Sequence, residues 1–134
     1  MEIVIDANIV MSALISTQGK TFDIIFNDRL KLYAPEFLLE EVNKYKDEII
    51  ERTNISEYEF NLFLALISSR INFIPYTEFK KQISFAEKIT PDEKDIEYFA
   101  LALHLNCGIW TNDAKLKKLD RVKIYTTTEI LKLM

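Results

Sequence analysis

Cysteine is almost missing from this sequence, and the single one, Cys107, excludes an internal disulfide. A chain without a disulfide framework suits a reducing compartment, so a cytoplasmic location is expected. Histidine is equally scarce. His104 alone would have to serve any Ser-His-Asp or Cys-His arrangement, and no such arrangement is visible. His104 and Cys107 therefore read as packing residues at the border of an apolar helix face. With 2 Gly and 3 Pro there is no linker and no low-complexity tract. Long hydrophobic runs are lacking too. The apolar stretch from Ala7 to Ile15 is interrupted by Asn8 and Ser12 and is too short to cross a bilayer. Glu2 and Asp6 stand where a signal peptide needs basic residues, so no membrane association is expected. Nor is there an excess of basic charge. A net charge of -4 argues against a surface that attracts polyanions everywhere, while a local basic strip could still meet phosphates.

What is present is apolar mass. Residues of the hydrophobic set make up 49% of the 134 residues, with nine Phe and six Tyr, enough for the core of a single domain over 1–134. The β-branched run Glu2–Ile5 predicts a buried strand ending at Asp6, followed by a helix from about Asn8 to Ser16 and a short helix through Phe22, Ile25 and Phe26. Lys31–Ala34 predicts a second strand. Pro35 stands where a long helix would start, with Leu38, Val42, Tyr45 and Ile49 on its core stripe. Ser56 and Glu59 form a capping box for a helix burying Phe60, Phe63, Leu64, Ile67 and Ile71. Asn72–Ile74 is a strand candidate and Phe79–Ile89 a helix. Thr90-Pro91-Asp92-Glu93 reads as another capping box, opening a helix that buries Ile96, Phe99, Ala100 and Leu103 and stops near Asn106 and Gly108. Gly108–Thr111 and Val122–Tyr125 predict strands, with Trp110 in the core, and Thr128–Leu133 a closing helix. Strands alternating with helices imply a three-layer α/β/α fold with a mostly parallel central sheet.

In open sheets of this kind, ligands sit beyond the carboxyl ends of the strands. Asp6 ends the first strand and Asp113 follows the GIWT strand, while Asp92 and Asp95 open the helix before it. At 100° per residue Glu41 lies about 40° from Tyr45 at the border of the apolar stripe, and Glu40 points nearly opposite. Asp92 and Asp95, three apart, share a face, with Asp95 about 40° from Phe99. Carboxylates within about 6 Å repel by roughly 3 kcal/mol per ionised pair at an effective dielectric near 20. A divalent cation is the simplest compensation, and oxygen ligation selects Mg²⁺ or Mn²⁺ over Zn²⁺. Such ions activate water and stabilise the leaving oxygen in phosphodiester hydrolysis.

Asp6-Ala7-Asn8 after the opening strand, Glu41-Val42, and TPDEKDIEYFALA (Thr90–Ala102) running into GIWTND (Gly108–Asp113) resemble the PIN domain over nearly the whole chain. The resemblance implies a metal-dependent ribonuclease with Asp6, Glu41, Asp95 and Asp113 as catalytic and metal-holding acids. Asn8 would orient the first acid, Thr111 would bind a metal water or a phosphate, and Asp92 matches an acid found in some subgroups. It further implies RNA as substrate and, for a compact single-domain member, the toxin of a type II toxin–antitoxin pair with a small antitoxin partner and a homodimeric assembly. The alternative is a non-catalytic PIN module acting in RNA binding or complex assembly. Glu51–Ile89 carries no motif that aligns.

Each acid also has a plainer reading: Asp113 can cap the turn toward Leu116, and Asp92 can complement a helix dipole. The basic run Lys115, Lys117, Lys118, Arg121 and Lys123 reads as a solvated face, or else as a guide for an RNA backbone. A receiver domain would need adjacent acids early in the chain. A haloacid-type phosphatase would need an Asp where Asn8 stands.

Overall fold

The computed structural model describes residues 1–118 and 120–134, with the side chain of Lys118 outside that description. Five strands form one wholly parallel sheet: β1 (Glu2–Ile5), β2 (Lys31–Pro35), β3 (Ile71–Ile74), β4 (Gly108–Trp110) and β5 (Ile124–Tyr125), in the order β3-β2-β1-β4-β5. β1 is central, pairing Val4 with Tyr33 on one side and Ile109 on the other. Its Ile3, Val4 and Ile5 are fully buried, as a strand covered on both faces requires.

The chain winds outward from β1 to β2 and β3, then crosses back to β4 and β5. The winding direction therefore reverses between β1 and β4, at the crevice where parallel sheets bind ligands. One layer is α8 (Ile96–Leu105), packed over β1, β2 and β4 and backed by α6 (Tyr76–Phe79) and α7 (Ile83–Ile89). The other is α1 (Ala7–Ile15) with α2 (Lys20–Ile25), α3 (Phe37–Lys44), α4 (Lys46–Thr53) and α5 (Glu57–Ser68). The helix α9 (Thr127–Leu133) closes the chain, with Thr126 and Glu129 as its capping box. Among the described residues no helix is long and apolar enough to cross a membrane.

Several expectations are corrected. Pro35 ends β2 rather than opening a helix, because its neighbour Ala34 is needed in the ladder with Phe73. The predicted long helix breaks at Tyr45, whose N–H bonds back three residues to Val42 and whose carbonyl starts α4. The break leaves Leu38, Val42 and Ile49 buried but turns Tyr45 outward, 39% exposed. Ile71 opens β3 instead of extending α5. The cap before α8 is Asp92, which accepts the Lys94 N–H at 3.0 Å over a 3₁₀ turn, Glu93–Asp95. Thr90 does not cap; its hydroxyl is, among the described residues, buried without a hydrogen-bond partner. The last strand is confined to Ile124–Tyr125, although Val122 is buried beside it. His104 is exposed in the last turn of α8 rather than packed.

Cys107 behaves as packing, and burial pushes its thiol up to about 11. α8 ends where Asn106 turns left-handed at φ 53°. Gly108 admits no side chain, since a Cβ there would come within 2.6 Å of the Tyr125 ring and 2.7 Å of the Lys123 carbonyl. That close approach seats β5 on β4 at the edge that leads to Asp113.

Candidate metal centre

Asp6 immediately follows β1 and is the N-cap of α1, its Oδ1 accepting the Ile9 N–H at 3.2 Å. It is only 5% exposed, and burial raises its carboxyl above the ordinary range. The Thr111 hydroxyl and the N–H groups of Ile9 and Asn8 oppose that rise, while the charge of Asp113 adds to it. Thr111 lies just past β4 and is wholly buried; its Oγ1 also accepts the Asp113 N–H at 3.1 Å. Thr111 thus acts as a strut between two acids, away from solvent. Asp113 itself accepts the Lys115 N–H at 3.0 Å and so caps the 3₁₀ turn Ala114–Lys118.

Glu41, on α3, is half-buried, whereas Glu40 is exposed, as the helical geometry predicts. Tyr98 on α8 donates its hydroxyl to Glu41 Oε1 at 2.5 Å. Burial raises the Glu41 carboxyl, that hydrogen bond lowers it, and the charge of Asp6 raises it again. The phenol of Tyr98 is held far above its usual range by burial and by the carboxylate it serves. Tyr98 was not among the residues legible in the motif. Its one available signal was its place three residues after Asp95, on the same helix side.

Asp95 is where the arrangement concentrates. Its carboxyl is pushed up to about 6, first by burial, then by the charges of Asp6, Asp92, Asp113 and Glu41. All five acids line one cleft of about 200 Å³, together with Asn8, Met11, Tyr45, Tyr98 and Lys94. Asn8 stands exposed at its lip, while Asp6 is held by the Ile9 N–H and Thr111. Five carboxylates face one ammonium.

Among the described residues, Lys115, Lys117, Arg121 and Lys123 do not line this cleft. Lys117 pairs with Glu129, Arg121 lies over Phe85 and Lys123 over Tyr125. The Lys118 side chain lies outside the described residues. Among the described residues, Lys94 is the cation that lines the cleft.

The donor set is all-oxygen, which fits a hard divalent ion. Among the described residues no three acidic, His or Cys side chains already surround a common point as one ion's ligands. Binding therefore asks for rotation of the half-buried Glu41, Asp95 or Asp113 side chains between ordinary rotamers.

The raised Asp95 carboxyl has a consequence for stability. A folded-state pKa near 6 against an ordinary 3.8 means that between those values the folded protein holds more proton than the unfolded chain. The ionised form is the destabilised one, so without metal this contribution falls as pH rises through about 6 and is recovered toward 3.8. In EDTA, the melting-temperature advantage of Asp95→Asn over the parent should be larger at pH 7.5 than at pH 4.5. Equal differences at the two pH values would show that Asp95 is not under this pressure.

A parallel α/β/α sheet whose reversal point gathers carboxylates from four distant segments defines an acid-centred α/β fold. The PIN domain family model matches residues 4–132, and the chain belongs to the PIN domain family. No curated protein sequence matches it significantly. Among solved structures it is similar to PAE2754 from Pyrobaculum aerophilum, with TM-score 0.69, 15% identity, and 99% of this chain and 89% of that one covered. It is also similar to VapBC2 from Rickettsia felis, solved bound to a fragment of promoter DNA. There the TM-score is 0.65 at 14% identity, covering 94% of this chain and 98% of that one. At such identities the likeness is one of fold.

Proposed function

We propose that this chain is a divalent-metal-dependent ribonuclease that hydrolyses phosphodiester bonds in the Asp6–Asp113 cleft. The observation that carries the reading is the meeting of Asp6, Glu41, Asp95 and Asp113, with Asp92 beside them, at the reversal point of a PIN-family sheet. Bound Mg²⁺ or Mn²⁺ would supply an activated water and charge stabilisation of the leaving oxygen. Asp6, Asp95 and Asp113 are the residues that would hold it, and Glu41 would hold a second ion or orient the water. Thr111 keeps Asp6 and Asp113 in mutual register, and Tyr98 holds Glu41 toward the cleft. Lys94 gives the substrate phosphate a cation to meet.

The biological setting we infer is the toxin of a type II toxin–antitoxin pair, acting in the cytoplasm with a small antitoxin as partner and assembling as a homodimer. The likeness in fold to VapBC2 supports it. So does α5, which leaves Tyr58, Leu62 and Leu66 exposed at four-residue intervals along one face, a surface suited to a protein partner.

The test is incubation of the purified chain with a mixed RNA pool in EDTA, Mg²⁺ and Mn²⁺. Cutting that depends on metal is expected. A protein that gains stability from Mn²⁺ but cuts nothing across a broad pool would move the assignment to the non-catalytic module. One that neither binds metal nor cuts would remove the metal centre as well.

A further inference from the structure

Two grooves adjoin the acid cleft at different residues. One continues from Asn8, Met11 and Tyr45 between α1 and α4, past Ile49 to Arg52, and encloses about 500 Å³. The other continues from Asp92 and Lys94 over Phe37 to Tyr76 and encloses about 450 Å³. Each exceeds the roughly 300 Å³ at which ligand pockets begin, so volume does not choose between them. Charge does. The Tyr76 groove sets Asp92, Glu93 and Glu97 against Lys94 alone, which repels a phosphate backbone. The α1–α4 groove sets one carboxylate, Glu48, against the Arg52 guanidinium.

The furniture of the α1–α4 groove is that of a single-strand track. Tyr45 is the residue at which α3 and α4 part, and the break turns its ring from the core stripe to the groove wall. Arg52 is exposed and, among the described residues, joins no ion pair. It stands seven positions beyond Tyr45, so the two share one helix side about 10 Å apart. An unpaired base can stack on an exposed aromatic ring, and a guanidinium meets the phosphate further along.

We propose that Tyr45 and Arg52 are positioning residues for the substrate: the RNA strand leaves the cleft between α1 and α4, with one unpaired base stacked on Tyr45 and a following phosphate at Arg52. The assignment rests on the ribonuclease reading, and it deepens that reading to a strand that is unpaired beside the cut.

The experiment uses a short fluorescein-labelled single-stranded RNA, with cutting measured in Mn²⁺ and binding measured across a salt series. Tyr45→Ala is expected to raise KM roughly 5- to 150-fold with little change in kcat, since base stacking on aromatic side chains has that range of worth. Tyr45→Phe should restore the parent KM. Arg52→Gln should weaken binding and make the slope of log affinity against log salt shallower by about 0.7, the value of one phosphate contact on a single strand. Tyr76→Ala, at the other exit, should leave KM unchanged.

A parent protein that cuts this RNA while Tyr45→Ala and Arg52→Gln keep its KM and salt slope overturns the track and leaves the ribonuclease reading standing. Sensitivity to Tyr76→Ala instead overturns it in favour of the other exit. A Tyr45→Ala protein with the parent KM that no longer holds a co-purifying protein overturns it by giving the groove to a protein partner. A parent that cuts no RNA in Mn²⁺ removes the ribonuclease reading and the track together, a result obtained before any variant is made.

Discussion

Asp6→Asn should lower metal-dependent RNA cutting by roughly two to three orders of magnitude while the protein stays folded. Several kcal/mol of charge stabilisation come from a bound ion in such reactions, and each 1.36 kcal/mol is a factor of ten. Asp6 is the most buried of the cleft acids and the only one anchored on the central strand. Asparagine keeps its shape and one side-chain oxygen, so it can still accept the Ile9 N–H and cap α1. It does not keep the negative charge, which burial and Asp113 already disfavour. Without metal the variant should therefore melt at or slightly above the parent temperature. The parent, at a hundred times the metal's dissociation constant, should gain about 2.7 kcal/mol, and the variant should gain much less. Cutting at the parent rate in Mn²⁺ would show that the metal-holding acids lie elsewhere.

Trp110→Ala should cost about 3–5 kcal/mol of folding stability, the usual range for emptying a fully buried large aromatic site. Trp110 is the largest wholly buried side chain, paired through β4 with Ile5 of β1 and with Tyr125 of β5. Its indole N–H donates to the Thr127 hydroxyl at 3.0 Å, which fastens the start of α9 to the sheet. Against a typical total of about 5–15 kcal/mol, such a loss leaves a marginal protein. Urea unfolding of the parent, Trp110→Ala and Trp110→Phe separates the contributions. The Phe variant should lose far less, because it surrenders the hydrogen bond and part of the volume only. A cost for Trp110→Ala below about 1.5 kcal/mol, no more than a tolerated swap of similar volume, would mean that the β4 layer repacks freely.

Much of this architecture was legible because burial on both faces of β1 and the capping box at Ser56 leave marks within a few residues of sequence. The same holds for the inward choice of Glu41 over Glu40, which follows from 100° per residue. The errors share a different cause. Tyr45 fits the apolar stripe of an unbroken helix, and nothing local says that the chain must bend there to place Ile49 against the core. Pro35 satisfies a helix-start rule that loses to the ladder between β2 and β3, whose other strand lies far along the chain. Thr90 satisfies a capping-box pattern that loses to Asp92, two residues on. At the site, the acids could be sorted by strand ends, but the Thr111 strut and the Tyr98 hydrogen bond depend on side chains brought together from separate segments. Asp113 carries a capping reading and Asp92 a helix-dipole reading beside the site reading, and Asp6 turns out to be a cap as well. In the structure the capping bonds and the shared cleft occur together.

The central position of β1 also governs when the cleft can exist. β1 must wait for β4, more than a hundred residues later, before its second edge is paired. Such long-range pairing is slow to form and leaves an open edge meanwhile. Asp6 leaves the ribosome more than a hundred residues before Asp113. A chain that stops before β4 holds only part of the acid set, so whatever chemistry the cleft performs waits until β4 and Asp113 have both been made.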